Sequence, residues 1–152
     1  MEIILKAVAE VKNSRHDTSD DFWGDIISEI TLMPEIPSMA FEGIMNFSHL
    51  EIIYYFNKVD PQKIVYSGHP RGNPKWPVMG IFCQRKKDRP NQLGLCTVEL
   101  VEQKERSIFV KYLDATAGTP ILDIKPVFKE FDLNGKRKQP GWVATLMKDY
   151  WK

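Results

Sequence analysis

The densest chemistry in the sequence lies between Gly80 and Gly94, where Arg85, Lys86, Lys87 and Arg89 stand with Asp88 and Asn91 between two apolar segments. The flanking segments read as β-strands, with Cys83 in one and Cys96 in the other, so the cations are concentrated on a loop. Pro90 fixes its own φ and pushes Arg89 towards an extended conformation, while Gly94 permits the turn into the next strand. Such a loop suits an anionic ligand, and the alternative is a hairpin tip kept soluble by charge. A second stretch, Tyr112 to Pro126, carries Asp114 and Asp123 on either side of a turn in which Gly118 can take positive φ and Thr119 is extended ahead of Pro120. A cationic loop and an acidic turn, both at strand ends, could together hold a zwitterionic ligand that bears a nucleoside.

The elements that must position these loops read as β-structure. Ile3–Val11 and Asp25–Leu32 are plausible strands, separated by the polar run Lys12–Asp21 and the block Asp20, Asp21, Phe22, Trp23 and Gly24. Phe47–Phe56 is dense in Ile, Tyr and Phe and reads as a strand buried on both faces, with Leu50, Ile52, Tyr54 and Phe56 on one side. Leu95–Glu102 and Ser107–Leu113 alternate as paired strands around a turn at Gln103–Arg106, and Ile121, Leu122 and Ile124 begin a last strand that Val127–Asp132 extends. Leu133–Pro140, with its Asn-Gly turn signal, is a hairpin or an exposed loop. Trp142, Val143, Leu146, Met147, Tyr150 and Trp151 recur at helical spacing, giving a short C-terminal helix whose apolar stripe serves core or interface. The sum is an all-β fold in one domain over residues 1–152, a small closed or partly open β-barrel of about seven strands with a terminal helix.

Composition narrows the function classes. With 21 Lys and Arg against 20 Asp and Glu the net charge is +1, so anion binding must come from local segregation of charge. Two cysteines are too few for a disulfide framework, both read as small buried hydrophobes, and no Cys and His spacing suggests a metal site. No signal peptide or membrane span is visible, and the expected location is cytoplasmic. Arg71, Lys75 and Trp76 lie in a Pro- and Gly-rich loop with the cation-plus-aromatic composition that contacts single-stranded nucleic acid, or they order a loop across the barrel end. Asp20 and Asp21 can accept hydrogen bonds from an amino group and the face of Trp23 can meet a cation, while the alternative is a strand-entry turn with Trp23 in the core. His49 stands alone near an apolar strand and reads as a packing or hydrogen-bonding residue.

The strings Gly80–Arg85, Asp88–Gly94 and Leu113–Asp114 with Gly118–Pro126 resemble the TsaA-like (YaeB or TrmO) family of S-adenosylmethionine-dependent methyltransferases. The resemblance extends to Phe47–Leu50, Trp76–Pro77, Gln139–Trp142 and Tyr150–Trp151, most of the chain, and is nearest to a short single-domain branch in which an acidic pair precedes Trp-Gly. It implies a β-barrel enzyme that works as a homodimer, with S-adenosyl-L-methionine near the interface and a modified adenosine of tRNA, threonylcarbamoyladenosine, as acceptor. By the same resemblance Asn57, Lys58, Arg85, Leu95, Leu113, Asp114, Ala115 and Thr116 line the cofactor site, with the backbone at Leu95 and Ala115 meeting the adenine and Arg85 the methionine carboxylate. Arg71, Arg89, Asn91, Asp123 and Lys125 would face the substrate or brace the two loops. Better-known members carry Pro-Arg-Gln near Asp20–Gly24, a His where this chain has Asn57, an Asp where it has Ala117, and an additional C-terminal domain. No general base is assigned. The other classes in view are a non-catalytic RNA-binding or cofactor-sensing module and a small-molecule methyltransferase.

Overall fold

A computed structural model describes residues 1–152. Its strands are β1 (Ala9–Lys12), β2 (Ile27–Leu32), β3 (His49–Tyr55), β4 (Ser67–Gly68), β5 (Met79–Gly80), β6 (Leu93–Lys104), β7 (Ser107–Lys111) and β8 (Pro120–Pro126), followed by a helix α1 (Gly141–Leu146). Six of them close a barrel in the order β1-β2-β7-β6-β3-β8, and β4 and β5 form a separate two-stranded pair. Every barrel pairing is antiparallel.

Alternation builds this barrel. Leu50, Ile52 and Tyr54 of β3 and Cys96, Val98 and Leu100 of β6 point inward and are buried, while their neighbours remain partly or fully exposed. With Ile30, Ile108, Val110, Ile121 and others they form one cluster of 16 buried residues. Each large aliphatic side chain there contributes about 1.5–3 kcal/mol over its exposed state, which makes the barrel interior the main source of stability. β3 is fully buried on one face only; its other side chains are half-exposed or exposed.

The antiparallel registers fix which loops meet. Tyr55 of β3 pairs with Leu93 of β6, Tyr54 with Ile121 of β8, Glu99 of β6 with Lys111 of β7, and Ile27 of β2 with Lys111. Lys12 of β1 pairs with Glu29 of β2. The exits of β1, β3 and β7 and the entries of β2, β6 and β8 therefore share one pole.

Four sequence expectations are corrected. Ile3–Val11 shortens to Ala9–Lys12, because β2 ends at Leu32, opposite Ala9, and Val8 makes the last cross-strand bonds, donating to Ile121 O at 2.8 Å and accepting from Met33 N at 2.9 Å; Ile3 and Ile4 are 73% and 85% exposed. The last strand stops at Pro126, because β3 begins at His49, whose carbonyl accepts from Val127 N at 3.0 Å, and a 3-10 turn follows at Lys129–Phe131. Cys83 lies in a 3-10 turn and is exposed, since β5 holds only two residues; Cys96 is the buried cysteine. Gly94 sits inside β6 instead of turning the chain into it: a Cβ there would lie 2.3 Å from the Tyr54 ring. The C-terminal stripe is half-buried from Trp142 to Tyr150, around a regular helix of six residues.

Candidate cofactor site at one pole of the barrel

Tyr54 joins the two stretches singled out by the sequence. Its ring lies against Gly94, where the basic loop enters β6, and its hydroxyl donates to Asp114 Oδ1 at 2.6 Å, just past the exit of β7. Cys96 makes a parallel link, its thiol donating to Tyr112 O at 2.9 Å. Asn57 Nδ2 donates to Gly118 O at 3.0 Å, tying the exit of β3 to the turn before β8. The cationic loop and the acidic turn thus converge at one pole, and Asn57, Lys58, Arg85, Leu95 and Leu113–Thr116 gather there.

The polar loop 13–26 crosses the same pole and is held by cations. Lys58 Nζ donates to His16 O at 3.2 Å and Lys87 Nζ to Thr18 O at 3.1 Å. Arg15 donates to the carbonyls of Phe22, Ser19 and Asp21 at 3.1, 2.9 and 3.0 Å, and its guanidinium lies 4.2 Å over the Trp23 ring. Trp23 is buried, and its indole donates to Asp20 O at 3.1 Å. One face of Trp23 is therefore taken by Arg15, and the residue belongs to the packing of the loop.

Arg85 donates to Leu95 O, which leaves further guanidinium N–H groups free. Arg89 Nη1 donates to Gln84 O at 2.9 Å and closes the basic loop on itself. Asn91 is exposed in the left-handed region at φ 62, beside Gln92 at φ 50; Gln92 is buried, donates to Val59 O at 3.0 Å and accepts from Tyr55 OH at 2.8 Å. Ala115 O accepts from Asn13 Nδ2 at 2.9 Å.

Two expected substrate residues lie away from the pole, and a third takes the loop-ordering role also expected of it. Arg71 is bound to Asp21, with Asp20 at 3.7 Å, and is a loop brace. Asp123 and Lys125 pair with each other at 2.5 Å on the outer surface of β8, opposite Ile53 and Glu51, outside the cluster at the pole. They brace neither loop, because the pleat turns both side chains away from the barrel axis.

Two residues central to the site were hidden in the sequence. Tyr54 read as one aromatic of a strand, and Tyr150 as part of an apolar stripe. Tyr150 OH donates to Asp114 Oδ2 at 2.6 Å. Burial, and next the Asp114 charge, push both phenols well above the ordinary tyrosine range, and burial with the same charge pushes up the Cys96 thiol. All three remain protonated at neutral pH and act as donors. Phe22, Arg71, Asn91, Gln92 and Tyr112 in the loops here have positive φ, as does Glu105 in the β6–β7 turn, a conformation costing about 1–3 kcal/mol that persists where the surroundings enforce it. Two clefts lie elsewhere. One of about 430 Å³ is lined by Asn46–His49, Val127–Glu130 and Asp132, and a largely apolar one of about 350 Å³ lies between Val8, Leu32, the segment 36–47 and β8. No helix is long and apolar enough to cross a membrane.

Residues 19–133 match the family model described as the tRNA-methyltransferase O N-terminal domain. An S-adenosyl-L-methionine-binding protein of Archaeoglobus fulgidus is 32% identical over 86% of this chain and 93% of its own length. A probable S-adenosyl-L-methionine-binding protein of Methanothermobacter thermautotrophicus is 35% identical over 89% of this chain and 97% of its own. The human tRNA (adenine(37)-N6)-methyltransferase is 32% identical over 63% of this chain and 22% of its own length. A crystal structure of TrmO from P. aeruginosa has the same fold, with a TM-score of 0.76 at 19% identity, covering 95% of this chain. The chain spans 63% of that protein's length. The barrel, the pole and these similarities together place the chain in the tRNA-methyltransferase O N-terminal domain family.

Proposed function

We propose that this protein is an S-adenosylmethionine-dependent methyltransferase that modifies an adenosine of tRNA, with threonylcarbamoyladenosine as the acceptor. The observation that carries the reading is the convergence of the Arg85 loop and the Asp114 turn on one barrel pole through Tyr54. The residues fit a zwitterionic nucleoside cofactor: Arg85 keeps free donors for a carboxylate, and Asp114 makes none of the seven ion pairs of the chain, so its charge is available to a cation.

When bound, S-adenosylmethionine supplies an electrophilic methyl group on a sulfonium. Asn57, Lys58, Leu95, Leu113, Ala115 and Thr116 form the wall against which it is held, with Arg85 on its carboxylate. The carbonyls of Leu95 and Ala115 already accept from Arg85 and Asn13, and each retains a lone pair for the adenine. Arg89 and Asn91 stand at the mouth, where an RNA phosphate or base can meet them. Positioning the acceptor nitrogen in line with the methyl and excluding water supply up to several kcal/mol of the acceleration. A homodimer with the site near its interface completes that exclusion, since Asn57, Lys58, Arg85 and Leu95 are exposed in one chain. Asp123 and Lys125 enter this reading where the second copy brings the β8 surface to the mouth. A cytoplasmic location follows from the tRNA substrate.

Calorimetry with S-adenosylmethionine, followed by mass spectrometry of tRNA nucleosides from a deletion strain, tests the proposal. Binding and a lost methylated nucleoside are expected; Arg85→Ala weakens binding about tenfold without unfolding the barrel. The names of the two archaeal relatives specify binding alone, which favours a non-catalytic cofactor-binding module as the second reading. Binding with an unchanged nucleoside profile favours that module or a small-molecule methyltransferase.

A further inference from the structure

Tyr150 lies beyond residues 19–133, the part of the chain that matches the family model. Its segment is nonetheless built into the pole. Phe22 N, Trp23 N and Gly24 N donate to the carbonyls of Asp149, Tyr150 and Lys152 at 3.1, 2.9 and 3.4 Å. Gly24 is required for this approach, since a Cβ there would meet Trp151 O at 2.0 Å. Trp151 packs edge-on against Tyr112 at 5.8 Å, and Trp142 lies 6.1 Å from Trp76. These contacts deliver the Tyr150 hydroxyl to Asp114 Oδ2, opposite Tyr54 at Oδ1.

The result is an unusual carboxylate. Asp114 is half-buried, both of its oxygens are hydrogen-bonded, and both donors are neutral. No Lys, Arg or His forms an ion pair with it, and Arg85 is turned onto Leu95 O. Tyr54, Tyr150 and the Cys96 thiol all stay protonated, so Asp114 is the single negative charge among them. A carboxylate has about four lone-pair positions, and the two phenols leave the others open. A fixed, partly desolvated negative charge with no ion-pair partner favours a cationic ligand over a neutral one of the same shape.

We infer that Tyr54 and Tyr150 position Asp114 as the residue that distinguishes the sulfonium form of the cofactor from its neutral, demethylated thioether. The inference rests on the cofactor reading above. It gives the C-terminal segment a role: the attraction holds the methyl donor and vanishes once the methyl group, and with it the charge on sulfur, has gone, so the spent product leaves more readily. Asp114 is the specificity-determining residue, and Tyr150 is a positioning residue that acts through it.

Calorimetry of the full chain with S-adenosylmethionine and, separately, S-adenosylhomocysteine reads the preference as a ratio of dissociation constants. In Asp114→Asn that ratio is expected to shift towards the homocysteine form on the order of tenfold, with affinity for the neutral ligand nearly unchanged. Tyr150→Phe is expected to shift it severalfold in the same direction, and it decides the question where Asp114→Asn fails to fold. Equal weakening of both ligands, or an unchanged ratio in a folded variant, overturns the inference and leaves the cofactor reading standing. Binding of neither ligand by the unaltered chain overturns both.

Discussion

Arg71 grips Asp21 with two parallel hydrogen bonds, Nη1 to Oδ2 at 3.0 Å and Nη2 to Oδ1 at 2.8 Å, across 50 residues of sequence. Asp20 adds a weaker contact at 3.7 Å. The pair joins the 13–26 loop to the Pro- and Gly-rich loop and holds Arg71 at a left-handed φ of 48. Both side chains are 26% exposed, so the pair is partly shielded from solvent and its geometry is bidentate. A double-mutant cycle with Arg71→Ala and Asp21→Ala, followed by urea unfolding, is expected to give a coupling of about 0.5–1.5 kcal/mol. The coupling should shrink as salt is raised. A coupling near zero at low salt would show that the two loops are held by other contacts.

Gly94 and Tyr54 occupy one another's space. A Cβ at position 94 would lie only 2.3 Å from the ring carbons of a fully buried tyrosine, so Gly94→Ala cannot be accommodated by a small rotation. Displacing Tyr54 would also pull its hydroxyl from Asp114. The expected cost is about 2–4 kcal/mol, read as a lower urea midpoint, larger than that of Tyr54→Phe, which keeps the ring and loses one hydrogen bond. A Gly94→Ala protein as stable as Tyr54→Phe would mean that the ring has room to move.

This close approach also shows where the sequence runs out. The alternation of Leu50, Ile52 and Tyr54 and of Cys96, Val98 and Leu100 was legible because a strand with one buried face imposes period two on its residues. Barrel, helix stripe and both loops followed from such local patterns, and Gly118 takes the positive φ, 80, that its turn suggested. What was not legible is long-range pairing. Nothing around Arg71 announces that its partner is Asp21, and nothing in the C-terminal stripe separates Tyr150, whose hydroxyl reaches Asp114, from Leu146, which only packs. Gly94 misled for the same reason: the residue that demands a missing Cβ lies 40 positions upstream on a neighbouring strand. Strand ends failed where a partner edge ended first, at Val8 and at Pro126.

Glu29 carries a pH dependence of known sign. Ser107 Oγ donates to its Oε1 at 2.6 Å and Thr31 Oγ1 at 3.1 Å, and the Ser107 bond is the main reason that its carboxyl is held below the ordinary 4.5. A folded-state pKa below the unfolded one means that the charged form is favoured by folding. The stabilisation is therefore complete above about pH 4.5 and is lost as pH falls through the folded value. Urea midpoints of the unaltered protein and Glu29→Gln should differ by a constant amount above pH 5 and converge as pH drops towards 3. A difference that grows on acidification would reverse the sign and remove the Ser107 contact as its cause.

The two cysteines should separate cleanly in reactivity. Cys83 sits exposed in a 3-10 turn, whereas Cys96 is 5% exposed, and burial, with the Asp114 charge, pushes its thiol well above the ordinary range. Thiolate is the reactive form, so Cys96 lacks both access and the nucleophile. Titration of the native protein with a chromogenic disulfide reagent is expected to release one equivalent quickly, and Cys83→Ser to abolish that phase. In denaturant the unaltered protein should release two. Rapid reaction of Cys96 in the folded Cys83→Ser variant would mean that the wall between β6 and the Asp114 turn opens readily, and with it the pole that the proposed cofactor needs closed.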